Sequence, residues 1–261
     1  MNDHTFVICA YKECHYLEEL IESLLAQTVK SDIIIETSTP NEFIQSIASK
    51  YEIPVYANPG KGGITEDWNY GYSIADTPFV TIAHQDDTYR PEYTETMLRA
   101  MKQSERPLVF FTNYAEIRNG EVVEDNRLLR VKRMMLHPMR DYRFRSSIWM
   151  RRRILSFGDP ILCPSVTFAK KNLPEQIFEN HFLASEDWEA WEKLSKLQGD
   201  FLYDSHILMC HRIHPDSTTT LAVRTHARER EDYEMYRRFW PDWMAKILVH
   251  FYSKSEDSNN V

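Results

Sequence analysis

Several things are scarce in this chain of 261 residues, and each scarcity removes a class of protein. The four cysteines, Cys9, Cys14, Cys163 and Cys210, show no C-x-x-C spacing, so neither a zinc knuckle nor a redox pair is indicated, and buried thiols in a reducing compartment are expected. No basic leader precedes a long apolar run, and no stretch approaches the roughly 20 apolar residues that span a bilayer; a cytoplasmic protein without a membrane span is expected. Excess positive charge is also missing. A net charge of −8 and a pI of about 5.7 argue against nucleic acid as the main partner, because phosphate binding needs a basic footprint. Glycine is rare, with seven in all, yet Gly60, Gly62, Gly63 and Gly71 fall within twelve residues, marking backbone that turns sharply, approaches a ligand, or forms a plain surface loop. No internal repeat is visible.

What is present suits one α/β domain over residues 1–252 with a flexible tail at 253–261, since 43% hydrophobic residues supply a large core. Thr5–Tyr11 reads as a buried strand, and His15–Thr28 as a helix with Leu17, Leu20, Ile21, Leu24 and Leu25 on one face. Asp32–Thr37 is a second strand, Asn41–Tyr51 a second amphipathic helix, Ile53–Ala57 a short strand and Thr65–Asp76 a helix. This rhythm predicts a mostly parallel sheet of right-handed βαβ units. Phe79–Ala83 continues it, followed by a helix over Pro91–Gln103 and a strand over Pro107–Asn113. Asn119-Gly120 signals a hairpin, so the sheet should become mixed. Later come a strand-like Leu162–Phe168, a helix opened by Ser185-Glu186-Asp187, a strand over Phe201–Cys210, and helices at 227–239 and from Trp240 onward.

Chemistry concentrates in a few places. His84-Gln85-Asp86-Asp87 falls at the carboxyl end of a central strand, where open α/β sheets bind ligands. Two adjacent carboxylates there need an offset: a divalent cation supplies it, or one of them simply caps the next helix. Ser185 suits an N-cap, with Glu186 and Asp187 in the first turn, where the helix dipole favours negative charge. His211 and His214, three apart on a strand that ends before Pro215, should point in opposite directions, which weakens a zinc reading. Between Arg127 and Arg153, ten Lys/Arg stand against the single acid Asp141, leaving −17 for the rest of the chain. Interleaved apolar residues make that stretch fit an anionic membrane surface or a phosphate-bearing substrate, with a solvated face or a subunit contact as the plainer alternative.

Taken in order, these motifs resemble glycosyltransferase family 2. Tyr16-Leu17-Glu18-Glu19-Leu20-Ile21-Glu22-Ser23-Leu24-Leu25-Ala26-Gln27-Thr28 is similar to the family's opening helix, Trp68-Asn69-x-Gly71 to its donor-site helix, and His84-Gln85-Asp86-Asp87 to its D-x-D-D motif. Ser185-Glu186-Asp187-Trp188 is similar to its E-D motif and Arg212-x-His214-x-x-Ser217-x-Thr219 to its late R-x-H-x-x-S element. The resemblance implies a GT-A fold, with a Rossmann-like, mostly parallel central sheet flanked by helices and a mixed C-terminal part. Residues 1–113 would form the nucleotide-sugar half, 114–225 the acceptor half with the basic segment 127–153, and 226–252 the closing helices. It implies inverting transfer of a sugar from a nucleotide-diphosphate sugar to a saccharide or lipid-linked acceptor, in surface polysaccharide or glycolipid assembly, by an enzyme in the cytoplasm or peripheral on the membrane's inner face. Asp187 would be the base with Glu186 beside it. Asp87, Asp86 and His214 would hold Mn²⁺ or Mg²⁺, while Ala10, Tyr11, Glu36, Asn69, Gln85, Asp86, Arg212 and Ser217 would border the donor. Three departures stand out: His84 replaces the first Asp, Glu36-Thr37-Ser38-Thr39-Pro40-Asn41 replaces the usual acidic loop, and Trp68 replaces a common Arg. A decayed nucleotide-sugar-binding protein is the rival of a different class. A nucleotidyltransferase is disfavoured because Lys12-Glu13-Cys14-His15 lacks the glycine-rich loop it would need.

Overall fold

The computed structural model describes residues 2–214 and 227–256. Four parallel strands form its first half: β1 (His4–Cys9), β2 (Asp32–Thr37), β3 (Val55–Ala57) and β4 (Phe79–His84). They are joined by α1 (Leu17–Leu25), α2 (Glu42–Lys50) and α3 (Ile64–Ile74). Alternation along β1 places Phe6 and Ile8 in the layer with Leu17, Leu20 and Ile44, and Val7 in the opposite layer with Tyr72. Helices therefore cover both faces, as a parallel sheet requires. Gly71 lets α3 lie close: a Cβ there would stand 2.5 Å from Val7 Cγ1 and 3.0 Å from Glu36 Cγ.

The second half comprises β5 (Thr88–Tyr89), α4 (Tyr93–Gln103), β6 (Pro107–Arg118), β7 (Glu121–Val123), α5 (Arg127–Leu136), α6 (Ile148–Leu155), β8 (Thr167–Ala169), α7 (Glu186–Leu194), β9 (Asp200–Ile213), α8 (Ala227–Arg237) and α9 (Asp242–Glu256). The sheet runs β3-β2-β1-β4-β8-β6-β9-β5, with β7 hairpinned onto β6 through Asn119 and Gly120, both at positive φ. Antiparallel β8 sits between β4 and β6, while β6 and β9 pair in parallel, so the mixed character expected beyond Asn119-Gly120 begins at β8.

Some boundaries differ from the sequence reading. Leu162–Phe168 is not a continuous strand: Pro164 starts a 3-10 turn at Cys163–Ser165, and pairing begins only at Thr167. The strand expected at Phe201–Cys210 extends to Ile213 because β6 accompanies it throughout. Helix α9 continues to Glu256, four residues into the stretch read as tail. Ser185 makes no side-chain cap to α7; its hydroxyl bonds Asp232. The N–H groups of Leu183, Ala184 and Ser185 are instead taken by the Glu231 carboxylate of α8 at 2.8–3.1 Å. None of the described helices is long and apolar enough to cross a membrane.

Candidate active site

The topology converges on the end of β4. Immediately after Asp86-Asp87 the chain enters β5, whose two residues pair antiparallel with Met209 and Cys210 of β9. This short ladder carries the end of β9 onto the acidic pair. Asp87 is fully buried, and its Oδ1 accepts from His211 Nδ1 and from the Arg212 backbone N–H, each at 2.9 Å. Its Oδ2 is buried with no hydrogen-bond partner among the described residues. Asp86 Oδ2 lies 2.9 Å from His214 Nε2, and the Asp86 carbonyl accepts from Arg212 Nε at 2.8 Å. Arg212 also reaches Glu19 at 2.6 Å and lies over the Tyr16 ring. The two histidines expected to diverge thus address neighbouring carboxylates. His214 follows the last strand residue, so strand alternation no longer fixes its direction.

The electrostatics follow from this crowding. Burial alone would raise the Asp86 carboxyl, but the His214 hydrogen bond and the charges of His211, His84 and His214 outweigh it and hold it below its ordinary value. Burial pulls His211 down, yet Asp87 more than offsets this and leaves it raised. His84 is lowered by burial against the opposing pull of Asp87, Asp86 and Asp187. Its ring stacks on Trp68 at 5.1 Å and 16°, so two of the positions noted as departures from the family pattern are in direct contact.

Asp187 opens α7, with its Oδ1 2.8 Å from the Trp188 N–H. It belongs to the same neighbourhood as the acidic pair: its charge acts on His84 together with those of Asp86 and Asp87, and on Cys163 together with that of Asp87. Glu186 is buried beside it, and that burial, with Asp187 next in weight, pushes its carboxyl up to about 8. Three residues that the sequence did not single out for this site also converge there. Burial and the charge of Asp187 raise the carboxyl of Asp159, on the turn after α6, well above its usual range, while Lys132 of α5 lies in the field of both acids and sits 5.5 Å from the centre of the Tyr114 ring of β6. Gly158-Asp159-Pro160 carries no distinguishing pattern, and Lys132 is hidden among nine other cations in the basic segment.

The expected donor residues divide into two groups. Ala10 is buried and Tyr11 exposed at the end of β1, where Gln85 clamps the chain by bonding the Tyr11 N–H at 2.9 Å and the Tyr11 carbonyl at 3.1 Å. Glu36, the last residue but one of β2, lies beside Cys9; it is 1% exposed, and both carboxylate oxygens lack hydrogen-bond partners among the described residues. Burial, with Asp67 adding like charge, pushes it up to about 8. Asn69 is turned to the 177–178 loop, accepting from the Ile177 and Phe178 N–H groups and donating to the Phe178 carbonyl. Its carboxamide fixes that loop. Ser217 lies outside the described residues.

A profile described as Glycosyl transferase family 2 matches residues 5–169, most of the chain and including the His84–Asp87 edge. The chain belongs to this family. It is a glycosyltransferase with a GT-A type fold. An uncharacterized glycosyltransferase of Rickettsia typhi is 24% identical over 249 residues, spanning 93% of this chain and 72% of the relative. Staphylococcus aureus TarS residues 1–349, solved with UDP-GlcNAc, superposes with a TM-score of 0.64 at 14% identity, covering 95% of this chain and 70% of that one. The mannosyltransferase PcManGT from Pyrobaculum calidifontis, solved with GDP-Man and Mn²⁺, gives 0.60 at 11% identity, covering 96% and 69%. Glucosyl-3-phosphoglycerate synthase from Mycobacterium tuberculosis, solved with Mn²⁺ and UDP-glucose, gives 0.56 at 15%, covering 92% and 80%.

Proposed function

We propose that this glycosyltransferase moves a sugar from a nucleoside-diphosphate sugar to the hydroxyl of a saccharide or lipid-linked acceptor, inverting the anomeric carbon, with Asp187 as general base. The observation that carries this reading is the shared surrounding of Asp187 and the Asp86-Asp87 pair: one acidic group at a helix start and another at a strand end act on the same His84 ring. Sugar nucleotides bound to structurally similar proteins support the donor class.

The residues present fit a divalent cation. The buried and unpartnered Asp87 Oδ2, the Asp86 carboxylate and the His214 imidazole form a hard oxygen and nitrogen donor set suited to Mn²⁺ or Mg²⁺, although no ligating group of three is preassembled among the described residues. When bound there, the cation would neutralise charge building on the departing diphosphate. Arg212, tied to the Asp86 carbonyl, keeps positive charge at the same edge. Tyr11 and Glu36, at the adjoining ends of β1 and β2, border the place assigned to the nucleobase. An acceptor hydroxyl is too weak a nucleophile at neutral pH, so Asp187 takes its proton as the new bond forms. Glu186, neutral up to about 8 through burial and the neighbouring Asp187 charge, does not compete for that role.

The experiment is release of nucleoside diphosphate from a panel of sugar nucleotides with Mn²⁺ or Mg²⁺, compared for wild type, Asp187→Asn and Asp87→Asn. Asp187→Asn should lose turnover by about 10²-fold or more while still being stabilised by donor in thermal shift. Asp87→Asn should lose the metal response. Donor binding without turnover in the wild type, for every donor and cation, would favour a decayed binding protein instead.

A further inference from the structure

The chain puts a serine where α7 needs an N-cap, and the fold diverts it. Ser185 is 2% exposed, and its hydroxyl goes to Asp232 Oδ1 of α8 at 3.2 Å rather than to the first turn of its own helix. The Ser185 carbonyl opens that helix by accepting the Glu189 N–H at 3.0 Å. Its own N–H is taken by Glu231, the residue before Asp232. Both Glu231 oxygens are engaged on the same short strap: Oε1 accepts from Leu183 at 2.9 Å, and Oε2 from Ala184 at 2.8 Å and Ser185 at 3.1 Å. Three consecutive backbone donors thus converge on one carboxyl group that is 8% exposed. Bonds of a carboxylate to backbone N–H groups are roughly twice as strong as neutral ones. One turn beyond Asp232, Tyr236 meets the Trp188 ring edge-on with centres 5.0 Å apart, and its hydroxyl donates to the Phe157 carbonyl at 3.1 Å. Trp188 itself donates to the Leu155 carbonyl at 3.0 Å. Asp187 stands between these two anchors, after Ser185 and directly before Trp188.

We propose that Glu231 is a positioning residue for the base: its carboxylate fixes the 183–185 strap, and with it the first turn of α7, so that Asp187 is presented in one place. This rests on the assignment of Asp187 as base. The Leu183 side chain is 68% exposed, so the strap is held there through its backbone rather than by packing. A displacement of about 1 Å at a catalytic group is enough to cost about 10²-fold in rate. Helix α8 lies outside residues 5–169, which the family profile matches, and this role makes it part of what the active site needs.

Two substitutions at position 231 and one control supply the test. Glu231→Gln keeps the shape but sets an N–H against a strap N–H, and Glu231→Ala removes both oxygens. Val249→Ala, at a buried position of α9, weakens the C-terminal helices without deleting any strap bond. Amide hydrogen exchange needs no substrate: the 183–185 amides should exchange faster by about 10-fold or more in both Glu231 variants, with Val249→Ala close to wild type. Nucleoside diphosphate release, measured below each variant's unfolding transition, should show kcat lowered by about 10- to 100-fold in Glu231→Ala, and by less in Glu231→Gln, with the donor KM unchanged. Val249→Ala should keep the wild-type kcat. Unchanged strap exchange in the Glu231 variants would overturn the proposal, as would an unchanged kcat in Glu231→Ala. A Val249→Ala variant that loses kcat to the same extent would overturn it too, by reducing the role of Glu231 to stability. Should Glu231→Ala fail to fold, Glu231→Gln decides on both readouts. Full turnover in Asp187→Asn removes the base itself, whereas an inert Asp187→Asn beside a fully active Glu231→Ala removes the anchor and leaves the base in place.

Discussion

Arg151 offers a sharp quantitative test of how the helix bearing Asp187 is held. Its guanidinium is 2% exposed, donates to the carbonyls of Ser195 and Gly199 at 2.8 Å and to that of Leu197, and lies 4.7 Å from the centre of the Phe201 ring. It thus serves the C-cap carbonyl of α7 and two carbonyls of the turn that follows it, which would otherwise lack this buried donor. Arg151→Met keeps the volume against Phe201 and removes every donor. Each stranded carbonyl costs about 1–3 kcal/mol, and loss of a cation at a helix C-terminus adds about 0.3–1 kcal/mol. Against this, a buried charge is removed; its desolvation, which already pulls Arg151 down to about 10, returns part of the cost. A net loss of about 3 kcal/mol is expected, or roughly 6–12 °C in Tm for a domain of this size. Chemical denaturation followed by tryptophan fluorescence measures it directly, since Trp188 and Trp191 lie on α7. Below the unfolding transition, turnover per folded molecule should be retained, because Asp187 sits at the other end of the helix, about 12 Å away along its axis. Arg151→Lys, whose ammonium cannot span three carbonyls, should fall in between. A loss below about 1 kcal/mol in Arg151→Met would show that α7 is anchored by its tryptophans alone and refute the reasoning.

Glu36 predicts a pH effect of definite sign. Unfolded, it titrates near about 4.3, and folded, near about 8, so between these values the folded chain holds the extra proton and stability falls as pH rises. Glu36→Gln should flatten Tm against pH over that window and exceed wild type at its upper end; an unchanged slope would mean that Glu36 is charged in the fold. Gly71→Ala should destabilise by about 1–3 kcal/mol although alanine is the better helix former, because its Cβ meets Val7 Cγ1. Pairing it with Val7→Ala should restore part of the loss in urea titrations, and additivity of the two costs would count against the clash.

Periodicity made the first half of the fold legible. The pattern of α1 and the β-branched run Ile33-Ile34-Ile35 leave little choice of structure, because one face or both faces must be buried. Pairing partners were less legible. Nothing local in Thr88-Tyr89 marks a strand, since two residues gain strand character only from β9 lying alongside. The same tertiary pairing brings His211 to Asp87, so a reading of strand alternation alone separated two histidines that the fold gathers. Asp86, Asp87 and Asp187 were visible as motifs, whereas Asp159 was not, because its carboxyl is set apart only by burial and by a charge 28 positions away in sequence.

The basic segment shows how charge written along a sequence can be spent inside a fold. Of its ten cations, Arg151 caps α7, Arg152 pairs with Glu192 of α7 at 2.8 Å, and Lys132 faces Asp159 and Asp187 at the start of the same helix. Arg145 pairs with Asp200, Arg133 bonds the carbonyls of Tyr114 and Glu124, and Arg130 and Arg143 are matched to Asp125 and Asp141. Much of a segment that reads as a continuous cationic strip is therefore engaged in contacts within the fold, and two of its cations, Arg151 and Arg152, brace α7. This arrangement has a functional logic. Asp187 must keep its orientation while charge moves around it, and a helix gripped by cations at both ends resists the small rotations that would spoil that orientation. Neutralising Arg151 or Arg152 is then a change in stability, whereas neutralising Lys132 reaches the base itself.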